Sequence, residues 1–163
     1  MRALLLICLT LLAAAHALPP PPDSSRPCWA KMIEIDGARD PDGALPPGGE
    51  EVRCDSKGFF LPKQCSGSQC YCVKPNGTKL KYTQNRWEAD DMKCKCALEE
   101  ANAGSGVGAS VRCDDRGDYY PVQCQGTVCH CVHTDTGEEK IGTTSNIIDI
   151  ARLEADCIRG ANR

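Results

Sequence analysis

The stretch VRCDSKGFFLPKQCSGSQCYCV (Val52–Val73) decides how this chain is organised, because it occurs twice. Moved along by 59 residues it falls without a gap on VRCDDRGDYYPVQCQGTVCHCV (Val111–Val132), and 12 of the 22 positions are identical. Apart from cysteines and the flanking valines, the repeated residues are Arg53 and Arg112, Asp55 and Asp114, Gly58 and Gly117, Pro62 and Pro121, Gln64 and Gln123, and Gly67 and Gly126. Self-similarity of that density at a fixed offset marks a duplicated structural unit.

The flanking cysteines extend the repeat in both directions. They form two sets of six: Cys28, Cys54, Cys65, Cys70, Cys72 and Cys94, then Cys96, Cys113, Cys124, Cys129, Cys131 and Cys157. Successive separations are 26, 11, 5, 2 and 22 in the first set and 17, 11, 5, 2 and 26 in the second, so only the outer gaps differ. The thirteenth cysteine, Cys8, stands in an apolar run from Ala3 to Ala15 that follows Arg2 and ends in Ala15-His16-Ala17. That is the pattern of a secretory signal peptide over residues 1–17, with cleavage expected after Ala17 and the run too short to be a membrane span. Removal of Cys8 leaves twelve cysteines bound for an oxidising compartment, which reads as a disulfide framework. Aromatic residues make up only 5% of the chain, so covalent staples are expected to make up for a small core. A formal net charge of −3 gives no basic footprint for nucleic acid or for an anionic membrane.

These marks predict a proline-rich arm over 18–27 (Pro19 to Pro22 are consecutive), a first module over 28–94, a second over 96–157, and a frayed tail over 158–163. Only Lys95 separates the modules, so a nearly fixed two-domain rod is expected. Short helices are predicted at Cys28–Ile35, ended by Asp36-Gly37 in a left-handed cap, and at Cys96–Ala103, ended by Gly104. Phe59–Cys65, Cys70–Val73, Tyr119–Cys124 and Cys129–Val132 read as short strands. Asn76-Gly77 and Asp135-Thr136-Gly137 are turn signals behind the second strand of each module. Ile147, Ile150 and Leu153 have helical spacing. The fold class is therefore small, disulfide-rich α+β: two tandem modules, each a short N-terminal helix plus a small antiparallel sheet and long loops.

Pro62-x-Gln64-Cys65, Cys70-Tyr71-Cys72-Val73 and Gly77, repeated as Pro121-x-Gln123-Cys124, Cys129-His130-Cys131-Val132 and Gly137, resemble the thyroglobulin type-1 module. Cysteine spacing alone leaves fifteen possible pairings per module. The resemblance implies sequential pairing, Cys28–Cys54, Cys65–Cys70 and Cys72–Cys94, then Cys96–Cys113, Cys124–Cys129 and Cys131–Cys157. It also implies a function: members of the family inhibit papain-like cysteine proteases without covalent chemistry, through three loops at one edge of a wedge. Carried onto this chain, those loops are residues 41–49, 66–69 and 74–77 in the first module and 102–110, 125–128 and 133–137 in the second. The candidate contact residues are Leu45, Pro46, Pro47, Gly48, Ser66, Gly67, Ser68 and Pro75, with Gly126 and Thr127. The proline-stiffened Leu45–Gly48 tip favours the first module over the glycine-rich Ala103–Gly108 of the second. Asn76-Gly77-Thr78 is an N-glycosylation sequon inside the third loop, where a glycan would oppose docking.

Other chemistry finds little footing. Cys-x-Cys spacing is not that of a zinc knuckle, so no metal or other cofactor is expected. His130 and His133 lie near cysteines, which would suit a thiol nucleophile with its base, but disulfide pairing takes those thiols, so no enzyme activity is expected. Glu99-Glu100 and Asp90-Asp91 read as solvated charges, and Phe59, Tyr71 and Tyr119 as packing residues. The expectation is a secreted monomer whose partner is a papain-like cysteine protease. The alternatives are an extracellular binding module for a growth factor, matrix protein or receptor, and a venom or salivary effector.

Overall fold

A computed structural model describes residues 24–46, 50–103 and 111–161. The expected leader, its cleavage point and the four prolines lie outside these residues, as do Pro47, Gly48 and residues 104–110.

Each half of the chain builds a helix, a hairpin and a third strand. Helix α1 spans Pro27–Gly37, with a proline at its start, where the missing N–H costs nothing. Gly37 is the last helical residue and the cap passes to Ala38 at φ −95°, so the expected left-handed glycine cap does not form. Strands β1 (Lys63–Ser66), β2 (Gln69–Val73) and β3 (Lys79–Asn85) make an antiparallel sheet in that order. Helix α2 (Lys95–Ala103) opens the second half, followed by β4 (Val122–Gln125), β5 (Val128–Cys131) and a two-residue β6 (Ser145–Asn146) in the same arrangement. Helix α3 (Ile150–Ala161) closes the chain and continues past Cys157.

Two expected strands are shorter than predicted. Phe59–Leu61 and Tyr119–Tyr120 contribute only single bridges, Cys54 with Phe60 and Cys113 with Tyr119. Pro62 and Pro121 follow and have no N–H to continue a ladder. The repeated glutamine takes over that task. Gln64, 3% exposed, accepts from Arg53 N at 2.9 Å and donates to the carbonyls of Arg53 and Leu61, both at 2.8 Å. Gln123 repeats the pattern on Arg112 and Tyr120. One buried amide thus satisfies backbone groups that a strand would otherwise pair. The repeated aspartates do the same for a tight turn: Asp55 accepts from Lys57 N and Phe59 N, and Asp114 from Arg116 N and Asp118 N.

Six disulfides join Cys28–Cys54, Cys65–Cys70, Cys72–Cys94, Cys96–Cys113, Cys124–Cys129 and Cys131–Cys157. In the loop-entropy picture each stabilises by roughly 2–4 kcal/mol. They are also much of the core: one cluster gathers Cys70, Cys72, Cys94, Tyr82, Ala89, Met92 and Ala97, and another Cys129, Cys131, Cys157, Val122 and Leu153.

The first cluster crosses from one module to the other, since Ala97 belongs to α2. The cause is a set of differences within the repeat. In the first module the Gly58 turn packs against Trp29; a Cβ at Gly58 would lie 2.6 Å from its ring. The position after the first cysteine of the second set is Ala97. There the turn instead meets the first module: a Cβ at Gly117 would lie 2.9 Å from Ala97 Cβ, 3.0 Å from Cys72 Sγ and 3.1 Å from Tyr82 Cγ. Phe59 has become Asp118, 6% exposed, whose Oδ1 accepts from Lys93 N at 2.8 Å and Cys94 N at 2.9 Å. Helix α2 lies between the modules, and its paired acids are not simple solvated charges. Glu99 accepts from Tyr119 OH in the second module, and Glu100 from Tyr82 OH (2.8 Å) and Lys81 Nζ (3.0 Å) in the first.

Removing the Asp118 acceptor leaves two N–H groups unpaired at the junction. Asp118→Ala is expected to lower stability by about 1–3 kcal/mol, whereas Asp118→Asn retains an acceptor and costs less; urea unfolding of the oxidised protein measures both. Burial holds the Asp118 carboxyl above its ordinary range, against the pull of the Lys93 and Cys94 amides. Its folded-state pKa is thus raised, so the stability linked to it is complete below the unfolded value, about 4, and is lost as pH rises past the folded value. The advantage of the wild type over Asp118→Asn should shrink from acid toward neutral pH.

Candidate functional site

The hairpin turn of each module sits beside a short helical turn that follows the third strand. In the first module, Gly67 at φ +52° lets the chain reverse between Ser66 and Gln69. The disulfide Cys65–Cys70 bridges the pair directly behind the turn, with Cα atoms 3.9 Å apart. Strand β3 then delivers the one-turn helix Arg86–Glu88 alongside, where Arg86 N donates to Ser68 O at 2.8 Å. The second module repeats each part: Gly126 at φ +60°, Cys124–Cys129 with Cα atoms 4.0 Å apart, and Ile147 N donating to Thr127 O at 2.8 Å from the turn Ile147–Asp149.

Both edges carry a large apolar side chain into solvent. Trp87 is 70% exposed and Ile148 is 87% exposed, at matching places in the two turns. A single exposed apolar side chain is ordinary, and Ile141, on neither edge, is fully exposed too; what sets Trp87 and Ile148 apart is that they recur at the same place beside the stapled turn of each module. The edges differ in chemistry. Around Trp87 stand Gln69, Arg86 and Glu88; around Ile148 stand the partly exposed Val128 and Ile147. Asn146 Oδ1 accepts from Ile148 N at 3.1 Å, and Asn85 Nδ2 donates to Glu88 at 3.0 Å, so a side chain at the end of the last strand pins each turn.

Among the described residues, the candidate contact residues fall in separate places. Ser66, Gly67 and Ser68 lie on the first edge, and Gly126 and Thr127 on the second. Pro75 belongs to the loop after β2, at the opposite end of that strand, about 13 Å away at the usual rise per residue. That loop, with Asn76 and Gly77, borders a hollow beside α1 lined by Ala30, Lys31, Glu34, Phe60 and Tyr71. Leu45, half-buried, and Pro46 also run beside α1, sharing Lys31 and Glu34 with that hollow. Trp87 and Ile148 are not among the sequence-based candidates. A lone tryptophan between Arg86 and Glu88 in a polar stretch is the signal that points to the first. Ile147, expected on a helix face, is 41% exposed in the turn before α3, while Ile150 and Leu153 do pack on the core.

Reactive groups are scarce. Cys129 and Cys131, on either side of His130, are both in disulfides. Among the described residues no group of three or more His, Cys, Asp or Glu side chains is placed to hold a metal ion, and no helix is long and apolar enough to cross a membrane. The Tyr119 hydroxyl is held well above its ordinary range by burial and by its bond to Glu99, which fits a packing role.

The family model described as the thyroglobulin type-1 repeat matches residues 50–94 and 97–149. The chain belongs to that family. Among curated relatives, bovine (Bos taurus) thyroglobulin is 26% identical over 161 residues, covering 94% of this chain and 6% of that protein. The mouse (Mus musculus) H-2 class II histocompatibility antigen gamma chain is 38% identical over 69 residues, covering 41% of this chain and 24% of its own length. Mouse nidogen-2 is 33% identical over 116 residues, covering 57% of this chain and 8% of its own length. The chain thus spans at most about a quarter of these relatives, and the likeness is one of modules rather than of whole proteins.

The exposure of Trp87 is open to a direct check. The chain has two tryptophans, Trp29 and Trp87. In a Trp29→Phe variant the remaining indole should emit as a hydrated one and be quenched freely by acrylamide. A blue-shifted, protected emission would mean that Trp87 is covered.

Proposed function

We propose that this chain is a secreted, non-covalent inhibitor of papain-like cysteine proteases that docks through its two hairpin edges. The observation that carries the reading is the repeated edge itself: a disulfide-stapled turn with an exposed apolar side chain beside it, at Trp87 in one module and Ile148 in the other. A cleft-binder gains from this arrangement in two ways. A turn already fixed by Cys65–Cys70 or Cys124–Cys129 loses little conformational freedom on docking. A cut between Gly67 and Ser68 would also leave its two ends joined by the same disulfide.

Family membership supports the inhibitory reading, since thyroglobulin type-1 modules include inhibitors of this kind. The hairpin edge replaces Leu45, Pro46 and Pro75 as the favoured contact, because those residues lie beside α1, apart from the turns. The edges offer different surfaces, an indole between charges and a patch of three aliphatic residues. They therefore suit different protease pockets, and neither module is favoured over the other. The reading needs no catalytic group, metal or nucleic acid, and treats the protein as a monomer carried out of the cell by the 1–17 leader.

The test is titration of the oxidised, leader-free protein against several papain-like proteases, with a serine protease as control. Reversible inhibition confined to the cysteine proteases is expected. Trp87→Ser or Ile148→Ser should weaken it at least tenfold for the proteases each edge serves, while Leu45→Gly with Pro46→Gly should leave it unchanged. Loss of inhibition only in the loop variant would move the contact to α1. No inhibition at micromolar protein with six intact disulfides would make this an extracellular binding module for another partner.

A further inference from the structure

We propose that Asn76 carries an N-linked glycan, and that this glycan lies over the hollow beside α1 and leaves the hairpin edges uncovered. Asn76-Gly77-Thr78 is the one Asn-x-Ser/Thr sequon in the sequence. The structure presents it as an acceptor. Lys74 N donates to Thr78 O at 2.8 Å and Gly77 N to Lys74 O at 2.8 Å, closing a short loop between β2 and β3. Asn76 and Thr78 are both exposed at its tip. Asn76 Oδ1 accepts from Thr78 N at 3.0 Å, which orients the side chain, and no described residue hydrogen-bonds its Nδ2, the atom that takes the sugar. A bulky hydrophilic modification is tolerated on such a surface loop.

Position within the module fixes what the glycan covers. The loop borders the hollow formed by Ala30, Lys31, Glu34, Phe60 and Tyr71. The turn at Gly67 precedes β2 and the Asn76 loop follows it, so the two stand at opposite ends of that strand. The sequon thus springs from the end of β2 away from the turn, a placement that favours docking through the edge. The corresponding loop of the second module, closed by His133 N to Glu138 O at 2.9 Å, holds Asp135, Thr136 and Gly137 and has no acceptor. Only the first module is sugar-coated, and the hollow of the second, lined by Tyr119, Gln123, His130 and Glu138, stays open.

The edge-free part of the proposal rests on the inhibitor reading; the glycan and its cover do not. The test is expression of residues 18–163 behind a standard secretory leader in a eukaryotic host, so that export by the chain's own leader is not at issue. Intact mass before and after peptide N-glycosidase F should show one glycan, absent in Thr78→Ala and retained in Thr78→Ser. Unmodified Asn76 in secreted protein with six disulfides would overturn the site. Acylation of Lys31 should be at least threefold slower in the glycosylated form, with Lys57 as internal reference; equal rates would overturn the cover. Inhibition constants with and without the glycan should agree within twofold wherever inhibition is seen. A tenfold gain on deglycosylation would place the glycan over the contact surface, whereas absence of inhibition in both forms would count against the inhibitor reading and leave mass and acylation to decide the glycan.

Discussion

The Cys72–Cys94 disulfide and its surroundings are the constraint on which the rest of this molecule depends. Cys72 lies in the central strand of the first sheet and Cys94 at the end of that module, so the bridge closes the first core. It also forms the surface on which the second module is seated, with Gly117 against Cys72 Sγ and Asp118 bonded to Cys94 N. Cys94 is held there at φ +63°, a left-handed conformation that costs a non-glycine residue about 1–2 kcal/mol. Such a cost is sustained only where the surroundings over-determine the geometry. The bridge on one side and the Asp118 carboxylate on the other do so. Because α2 begins at Lys95, the chain passes from this bridge directly into the helix between the modules, with no free linker.

Duplication supplied the two modules, and a few substitutions made them into a pair. The first module covers its Gly58 turn with its own Trp29. At the corresponding place the second has Ala97, and the room left is occupied by the first module's Tyr82 and Cys72. Phe59 gives way to Asp118, which exchanges an apolar contact for two hydrogen bonds across the junction. The edges diverged as well, one keeping Arg86, Trp87 and Glu88 and the other Ile147, Ile148 and Asp149. A repeated framework of bridges, Gln64 and Gln123 thus carries two surfaces that differ between the modules, one that joins them and one that faces solvent.

Much of the framework was legible in the sequence because it is carried by residues with few alternative roles. The repeat, the two cysteine sets, the turn glycines and the Gln-Cys pairs sit at fixed spacings, and α1, α2 and the hairpins fall close to their expected places. Strand β3 leaves little mark on the sequence because its residues, Lys79 to Asn85, are mostly polar, and only Leu80 and Tyr82 pack on the core. The clamp at Asp118 was hidden by the repeat itself, since its counterpart is an ordinary phenylalanine. Glu99 and Glu100 read as solvent charges because the tyrosines that bind them, Tyr119 and Tyr82, lie roughly 20 residues away on either side. The expected loops 66–69 and 74–77 are close in sequence but stand at the two ends of β2, a separation that sequence proximity does not reveal. Only the path of β3 brings Arg86–Glu88 back beside Ser68.

If the seat around Cys72–Cys94 joins the modules as described, they share one core and melt together. Differential scanning calorimetry of the intact, oxidised protein tests this most directly. A single transition is expected, with calorimetric and van't Hoff enthalpies that agree, the mark of one cooperative unit. Two resolved transitions, or a calorimetric enthalpy near twice the van't Hoff value, would show modules that unfold independently and would contradict it.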